Sequence, residues 1–241
     1  MTYCVGLQLH RGLVFLSDTR TNAGVDNVST FRKMHHWEVP GERVMVLMTA
    51  GNLATTQATV SLLEERNLAA EERAPTLLNV PSMFQAARVI GDTLRDVITT
   101  QRGEGQEASR AFGATLIFGG QIQGGPPRLF LIYPEGNFIE AQSDTPFFQI
   151  GETKYGRPIL VRAYDPEMTF DEAAKLLMVS FDSTIRANLS VSTPLDLLTY
   201  ETDALRLGIS RRIEATDADW RAISEGWSDA LRAAFVSLPD V

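Results

Sequence analysis

The order of strand-like and helix-like segments constrains the fold of this 241-residue chain more than any other feature. Strand-forming runs open the chain, two helical segments follow, and then come more strands, more helices, a closing strand pair and a last helix. Two sheets that face each other, with helices on their outer sides, account for this order. The sequence therefore predicts an α+β fold. Its length suits one domain over residues 1–241, which would bury roughly 70 to 75% of its unfolded surface.

Short polar or glycine-containing breaks separate the predicted elements. The turn His10-Arg11-Gly12 closes an opening hairpin, and the segments 19–30 and 101–110 are predicted to be polar loops. The predicted strands cover residues 2–9, 13–16, 31–39, 44–49, 114–118, 128–133, 137–141, 147–150, 195–199 and 205–213. The predicted helices cover 52–66 and 157–163, begin behind capping-box pairs at 82/85 and 169/172, and end with a helix over 220–234.

Thr2 follows the initiator methionine, which places a hydroxyl-bearing residue at the start of the first predicted strand. Removal of Met1 would leave Thr2 with a free α-amine beside its own hydroxyl. One residue would then hold a nucleophile and the base that activates it, so no distant histidine is required. The chain start is therefore a candidate catalytic site. Threonine is also common at position two simply because small residues are tolerated there.

Three further residues have the types that a terminal nucleophile needs. An α-amine has a pKa of about 7.7 to 8.0, and a neighbouring ammonium lowers that pKa, which makes Lys33 a candidate. Asp18, at the end of the second predicted strand, can hold this lysine and balance its charge. Gly51, between a strand and a helix, can present a bare backbone N–H to an oxyanion. Each residue alone is compatible with a surface charge or a turn, but the ordered set predicts amide hydrolysis.

Short motifs in roughly the first seventy residues carry a family resemblance. They are Thr2, Ser17-Asp18-Thr19-Arg20, Phe31-Arg32-Lys33-Met34 and Thr49-Ala50-Gly51-Asn52. Together they resemble the proteasome β-subunit class of N-terminal nucleophile hydrolases, and in particular its bacterial ancestral β-subunit branch, called Anbu. That branch is further indicated by the run before the lysine, Thr19-Arg20-Thr21-Asn22-Ala23-Gly24-Val25-Asp26-Asn27.

The resemblance implies a role for each candidate catalytic residue. Thr2 becomes the nucleophile once Met1 is removed, and Asp18 and Lys33 assist it. The backbone N–H of Gly51 contributes to the oxyanion hole. The resemblance thus implies a threonine-type hydrolase that needs no metal and no organic cofactor.

The resemblance also implies where a peptide or amide substrate binds. Asn22 would line the substrate channel, and Thr49 would lie at the mouth of the first specificity pocket, whose side-chain preference stays open. The implied fold is a four-layer αββα sandwich of two antiparallel sheets between helical layers. Assembly into a homo-oligomer, either a ring or an open spiral, is implied as well, while an unfoldase partner is left open.

Two positions depart from the family pattern. Glu152 stands where related β-subunits place a serine that hydrogen-bonds the terminal amine, and its carboxylate could keep that amine protonated. Ala187 replaces the aspartate of an Asp-x-x-Ser pair whose serine is matched by Ser190. Glu152 and Ser190 are therefore candidate assisting residues. Asp182 and Asn188 are nearby substitutes for the aspartate, or else ordinary helix-surface groups.

Charge and composition exclude several other classes of protein. A formal net charge of −8 argues against a nucleic-acid or anionic-membrane surface, and no stretch approaches 18 apolar residues. The single cysteine, Cys4, rules out an intramolecular disulfide and favours a reducing compartment, so we expect a cytoplasmic protein with Cys4 packed in a strand. The neighbours His35 and His36 would point to opposite faces of a strand, which disfavours a shared metal ion.

Two rival functions remain beside the threonine hydrolase. One is a catalytically silent β-subunit-like scaffold that keeps the fold and the assembly but hydrolyses nothing, because a retained Met1 would block the amine. The other is a narrow-specificity amidohydrolase that cleaves a small modified peptide or an isopeptide-like conjugate. Lipase-type, phosphate-loop and dinucleotide-binding motifs do not occur in the chain.

Overall fold

The computed structural model describes residues 2–22, 28–68, 75–101 and 112–240. Within these ranges the strands are β1 Tyr3–Leu9, β2 Gly12–Asp18, β3 Arg20–Asn22, β4 Val28–Thr30, β5 Met34–Val39, β6 Arg43–Gly51, β7 Ala114–Ile122, β8 Arg128–Ile132, β9 Phe138–Glu140, β10 Phe147–Gly151, β11 Leu195–Glu201 and β12 Ser210–Ile213. The helices of the same ranges are α1 Leu53–Leu68, α2 Met83–Gln101, α3 Arg157–Ala163, α4 Phe170–Ala187 and α5 Ala218–Val236.

Two antiparallel sheets of five strands form the centre of the molecule. The first sheet has the order β10-β1-β2-β11-β12, and the second has the order β5-β6-β7-β8-β9. The opening hairpin lies in the middle of the first sheet, where β1 pairs with β10 and β2 pairs with β11. The chain start is therefore held inside a sheet, as the sequence predicts.

Apolar side chains fill three layers between four layers of secondary structure. One cluster lies between the two sheets and includes Cys4, Phe15 and Met48. A second cluster joins the first sheet to α3 and α4, and a third joins the second sheet to α1 and α2. Because both faces of the central strands are covered, every residue of β2 is buried. This arrangement confirms the predicted αββα sandwich of the α+β class and the buried position of Cys4.

The capping box at the start of α4 confirms a prediction made from spacing alone. The backbone N–H of Glu172 donates to the Thr169 hydroxyl at 3.2 Å, and the Thr169 N–H donates to the Glu172 carboxylate at 2.9 Å. Two backbone donors that have no partner inside the helix are satisfied in this way, which stabilises the helix start by about 1 kcal/mol.

Several segments differ from the sequence prediction, among them the strand predicted over 31–39, which begins only at Met34. The predicted loop 19–30 contains the short paired strands β3 and β4, with residues 23–27 outside the described ranges. The predicted loop 101–110 begins one residue inside α2, and 102–110 also lie outside those ranges. The strand predicted over 205–213 begins only at Ser210, since Asp203 and Leu205 adopt positive φ angles of 63° and 46° that bend the chain first. Turns of this kind leave little trace in apolar periodicity.

The last helix packs on α4, and its side chains become more exposed toward its end. Trp220 is buried and Trp227 is half-buried, but Phe235 and Val236 are 77% and 82% exposed. Asp182 of α4 is buried beneath this helix, where it accepts a hydrogen bond of 2.6 Å from the Ser224 hydroxyl. The expectation that Asp182 is a helix-surface group is therefore wrong. Of the helices described, none has the length and apolar character that crossing a bilayer requires.

Candidate active site

A buried ion pair lies beside the start of β1. The Lys33 ammonium donates to Asp18 Oδ1 at 2.8 Å and to the Arg20 carbonyl at 2.5 Å. The same carboxylate oxygen accepts the backbone N–H of Tyr3 at 2.9 Å. Asp18 is fully buried and Lys33 is 4% exposed, because β2 ends in the middle of the first sheet. Asp18 thus binds both Lys33 and Tyr3, the residue that follows Thr2.

Burial changes the acidity of this aspartate. Removal from water raises the pKa of Asp18 to about 6, and the neighbouring Lys33 ammonium only partly opposes that rise. Its second oxygen, Oδ2, is buried without a hydrogen-bond partner among the described residues. Asp18 is therefore ionised at neutral pH but takes up a proton in mildly acidic solution.

Thr2 is held by backbone contacts on both sides. Its carbonyl accepts the N–H of Glu152 at 2.6 Å, and the next residue, Tyr3, is bound to Asp18. Gly151 passes so close that an added Cβ would lie 1.9 Å from the Thr2 carbonyl oxygen, and its φ of 82° also favours glycine. The backbone of Thr2 is consequently fixed between β1 and β10.

A cavity of about 560 Å³ opens in front of Thr2. Among the predicted site residues, Lys33, Thr49 and Gly51 line it together with Thr2. Gly51 ends β6 with a φ of 121°, and an added Cβ there would lie 2.4 Å from the Gly113 carbonyl oxygen. Only glycine fits at this bend, which lies where the sequence expects a bare backbone N–H.

Glu152 is buried next to Thr2, and both of its carboxylate oxygens are bound. Oε1 accepts the N–H of Lys154 at 3.0 Å, and Oε2 accepts the side-chain amide of Asn188 at 3.0 Å. Asn188 in turn accepts the N–H of Ser190 at 3.0 Å. Asn188 caps the end of α4 and links Glu152 to Ser190, so the expectation that it is an ordinary helix-surface group is wrong. Ala187 is exposed, and its methyl side chain cannot form the hydrogen bonds that Asn188 makes.

The remaining predicted residues have separate positions. Asn22 ends β3, and its side chain, like Met1, lies outside what the structure describes. Its neighbour Thr21 does line the cavity. Thr49 is buried, and its backbone N–H donates to the Lys33 carbonyl at 2.9 Å, which connects β6 to the segment that carries the lysine.

Sequence reasoning missed Arg32 and His35, which also line the cavity. Burial, followed by the charges of Arg32 and His36, lowers the pKa of His35 to about 4. His35 is therefore neutral near pH 7. Within the described ranges, no group of three or more His, Cys, Asp or Glu side chains is placed to bind a metal ion.

Comparisons with known proteins agree with this geometry. Residues 2–194 match the family model described as proteasome subunit. The solved structure of Anbu from Hyphomicrobium sp. strain MC1 is 52% identical, with a TM-score of 0.92 and coverage of 100% of this chain and 99% of the other. Anbu (ancestral beta-subunit) from Yersinia bercovieri is 47% identical, with a TM-score of 0.93 and coverage of 100% and 99%.

A third structure, the helical assembly of the Anbu complex from Pseudomonas aeruginosa, is 46% identical, with a TM-score of 0.92 and coverage of 100% of this chain and 98% of the other. Among curated proteins, none matches. The resemblance stated from the motifs therefore extends over the whole chain.

Proposed function

This chain belongs to the proteasome subunit family, and we propose that it is a threonine-type N-terminal nucleophile hydrolase that cleaves peptide or related amide bonds after removal of Met1. One observation carries the proposal: Thr2 and Lys33 line the same cavity, and the lysine is bound to the buried Asp18. Thr2, Asp18 and Lys33 are the proposed catalytic residues. The whole chain would form one β-subunit-like domain that works without metal or organic cofactor.

The first chemical step follows from the residues around Thr2. The free α-amine of Thr2 takes the proton from its own hydroxyl, and the hydroxyl oxygen attacks the carbonyl carbon of the substrate amide. The Lys33 ammonium keeps the basic form of the amine available, because a nearby positive charge lowers the amine pKa. The backbone N–H of Gly51 donates to the oxyanion that forms.

The second step releases the products. The amine of Thr2 returns its proton to the leaving nitrogen, the C–N bond breaks, and an ester to Thr2 remains. Water then attacks this ester with the same amine as base, which frees the acid product and restores Thr2. Asn22 and Thr49 are the proposed substrate-binding residues along this path, and Glu152 and Ser190 are proposed to assist through Asn188.

The test that separates this proposal from a silent scaffold is an intact mass measurement. The freshly purified protein is incubated with and without an epoxyketone that reacts only with an amino-terminal residue bearing both a hydroxyl and a free amine. Loss of Met1 together with one covalent adduct is the expected result. Retained Met1 without an adduct would contradict the hydrolase proposal and support a catalytically silent scaffold. An adduct without cleavage of ordinary peptides would favour the narrow-specificity amidohydrolase.

We further propose that the chain works as a homo-oligomer, in a ring or an open spiral. Helical assembly is stated for the Anbu complex from Pseudomonas aeruginosa, which is 46% identical to this chain. The last helix supports such an assembly, because its second half carries the exposed apolar side chains Leu231, Phe235 and Val236. Light scattering on the purified protein measures the subunit number directly.

The rate of adduct formation is expected to depend on pH in two stages. Below the pKa of the terminal amine the rate falls about tenfold per pH unit, because less of the amine is unprotonated. Below pH about 6 we expect a steeper fall, since Asp18, whose pKa is about 6, becomes protonated and no longer balances Lys33. Rate constants with the epoxyketone between pH about 5 and about 8 show both stages. In Asp18→Asn the second stage should be absent, whereas a single slope through pH 6 in the natural protein would rule out this role of Asp18.

Glu152→Gln is expected to increase the reaction rate at pH below the amine pKa. Both oxygens of Glu152 are already bound to neutral donors. We therefore expect its negative charge to act on the Thr2 amine through space and to favour the protonated amine. Removing this charge while keeping the shape should lower the amine pKa by about half a unit and speed the reaction about threefold near pH 6.5.

The two proteins should react equally near pH 9, where the amine is unprotonated in both. A rate increase that is the same at every pH would point to a changed structure and not to charge. Glu152→Ser, which restores the residue type of related β-subunits, should raise the rate in the same direction. If neither variant changes the reaction rate, the Glu152 carboxylate has no role in the chemistry.

A further inference from the structure

The lining of the cavity in front of Thr2 is basic, although the chain as a whole is acidic. Arg32, Lys33 and His35 contribute to the lining, and no aspartate or glutamate of the described ranges does. The other polar lining groups are threonine and glutamine side chains, and the apolar ones include Phe31 and Leu53. A side chain that enters this space thus meets hydrogen-bond donors and basic groups, and no carboxylate of the described ranges among the lining residues.

Of the three basic side chains, Arg32 alone is available to a ligand. The Lys33 ammonium is bound to Asp18 and to the Arg20 carbonyl. His35 is neutral near pH 7, because burial lowers its pKa to about 4. Arg32 is exposed, and no hydrogen bond or ion pair joins its guanidinium to any of the described residues. It also borders a second cavity that Asp196 lines, but the Asp196 carboxylate is already bound to Arg212. The charge of Arg32 is therefore the one that a substrate group can neutralise.

We infer that this cavity selects an acidic side chain, aspartate or glutamate, on the residue whose carbonyl Thr2 attacks, and that Arg32 recognises its carboxylate. The inference rests on the proposed function and specifies the substrate class of that site. A guanidinium and a carboxylate form charge-assisted hydrogen bonds, frequently in pairs, whereas a lysine or arginine side chain of a substrate is repelled. Thr49 and Gln57 add hydroxyl and amide groups to the same lining.

An apolar side chain is the main competitor for this space. Phe31, Ala50 and Leu53 provide apolar walls that contact the aliphatic part of any long side chain. By apolar contact alone these walls favour leucine over glutamate, whose side chain has fewer apolar carbons. The charge of Arg32 is what reverses this order, so a change at Arg32 should alter the preference between glutamate and leucine without closing the cavity.

The test uses four peptide epoxyketones that are identical except for glutamate, glutamine, leucine or lysine at the residue next to the warhead. With the natural protein, the glutamate compound should form the Thr2 adduct about tenfold faster than the glutamine compound, and the lysine compound should be slowest. This advantage should decrease when the salt concentration rises from about 0.05 to about 0.5 M, since the partner charge is exposed.

Variants at Arg32 identify the cause of the preference. Arg32→Gln should remove the advantage of glutamate over glutamine, and Arg32→Glu should make the lysine compound the faster one. Arg162→Gln is the matched control, because Arg162 is an exposed arginine of α3 outside the cavity. A glutamate preference that survives Arg32→Gln, or a faster leucine compound in the natural protein, would overturn the inference.

Binding to Thr2→Ala separates this inference from the proposed chemistry. Acetylated tripeptide amides that end in glutamate, glutamine, leucine or lysine are titrated into this variant by calorimetry, where no covalent step is needed. A preference for the glutamate peptide that disappears with Arg32→Gln supports the inference even if the natural protein forms no adduct. In that case only the hydrolase proposal fails. Equal binding of the glutamate and glutamine peptides overturns the inference whatever the chemistry at Thr2.

Discussion

Thr2→Ala is expected to abolish hydrolysis and the epoxyketone adduct while leaving the native size of the assembly unchanged. The variant keeps a free amine after removal of Met1 but lacks the oxygen that attacks the amide, so the loss should be at least about 10³-fold. The fold should persist, because the described hydrogen bonds at this position involve the Thr2 carbonyl and not its hydroxyl. Peptide cleavage, intact mass and light scattering on the same preparation measure the three quantities.

Two matched variants make this result interpretable. Thr2→Ser keeps a hydroxyl and an amine on one residue, so it should retain the adduct. Thr100→Ala removes an exposed threonine hydroxyl of α2 that donates to the Asp96 carbonyl, and it should react like the natural protein. Hydrolysis that survives Thr2→Ala at the natural rate would refute the proposed nucleophile, whereas a smaller assembly would show that Thr2 also has a structural role.

The fold could be predicted from the sequence because local patterns and tertiary packing agree along most of the chain. The strand β2 is an apolar run that is buried on both faces, and Thr169 and Glu172 have the spacing of the capping box that they form. The prediction is less complete where the decisive contact is not local. Helix α5 lies where the sequence predicts a helix, but its apolar spacing does not show that the side chains of its second half are exposed.

The candidate site could be predicted only in part for the same reason. The order of Thr2, Asp18, Lys33 and Gly51 indicates the chemistry, and the structure brings Asp18 into contact with Lys33 from 15 residues away. The sequence does not distinguish Asn188 from a surface group, because its contact with Glu152 spans 36 residues and follows from how α4 ends. The order of motifs can reveal a resemblance between two chains. It does not show which distant segments come into contact, because those contacts form only when the sheets pack.

Lys33→Met is expected to remove activity and to destabilise the protein. A second substitution, at Asp18, should restore the stability but not the activity. Without the ammonium, Asp18 remains fully buried with no positive partner, and breaking such a buried pair typically costs about 3 to 5 kcal/mol. Adduct formation should fall by about 10²-fold or more, since the Thr2 amine also loses the charge that lowers its pKa. Unfolding by denaturant, at one protein concentration, and the adduct rate are measured together. Lys175→Ala, at an exposed lysine of α4, is the control.

The pH dependence of the stability loss has a definite sign. In the natural protein the pKa of Asp18 is already raised to about 6, and without Lys33 it should rise further. A carboxyl whose pKa is higher in the folded state is accommodated best when it is protonated, so the penalty of Lys33→Met should be small near pH 5 and large near pH 8. The double variant Asp18→Asn/Lys33→Met removes both charges, and the oxygen of the new side-chain amide can still accept the Tyr3 N–H. It should therefore regain most of the stability and none of the activity. Recovery of the adduct in this double variant would show that the ion pair supports only the fold, and that Lys33 has no part in the chemistry of Thr2.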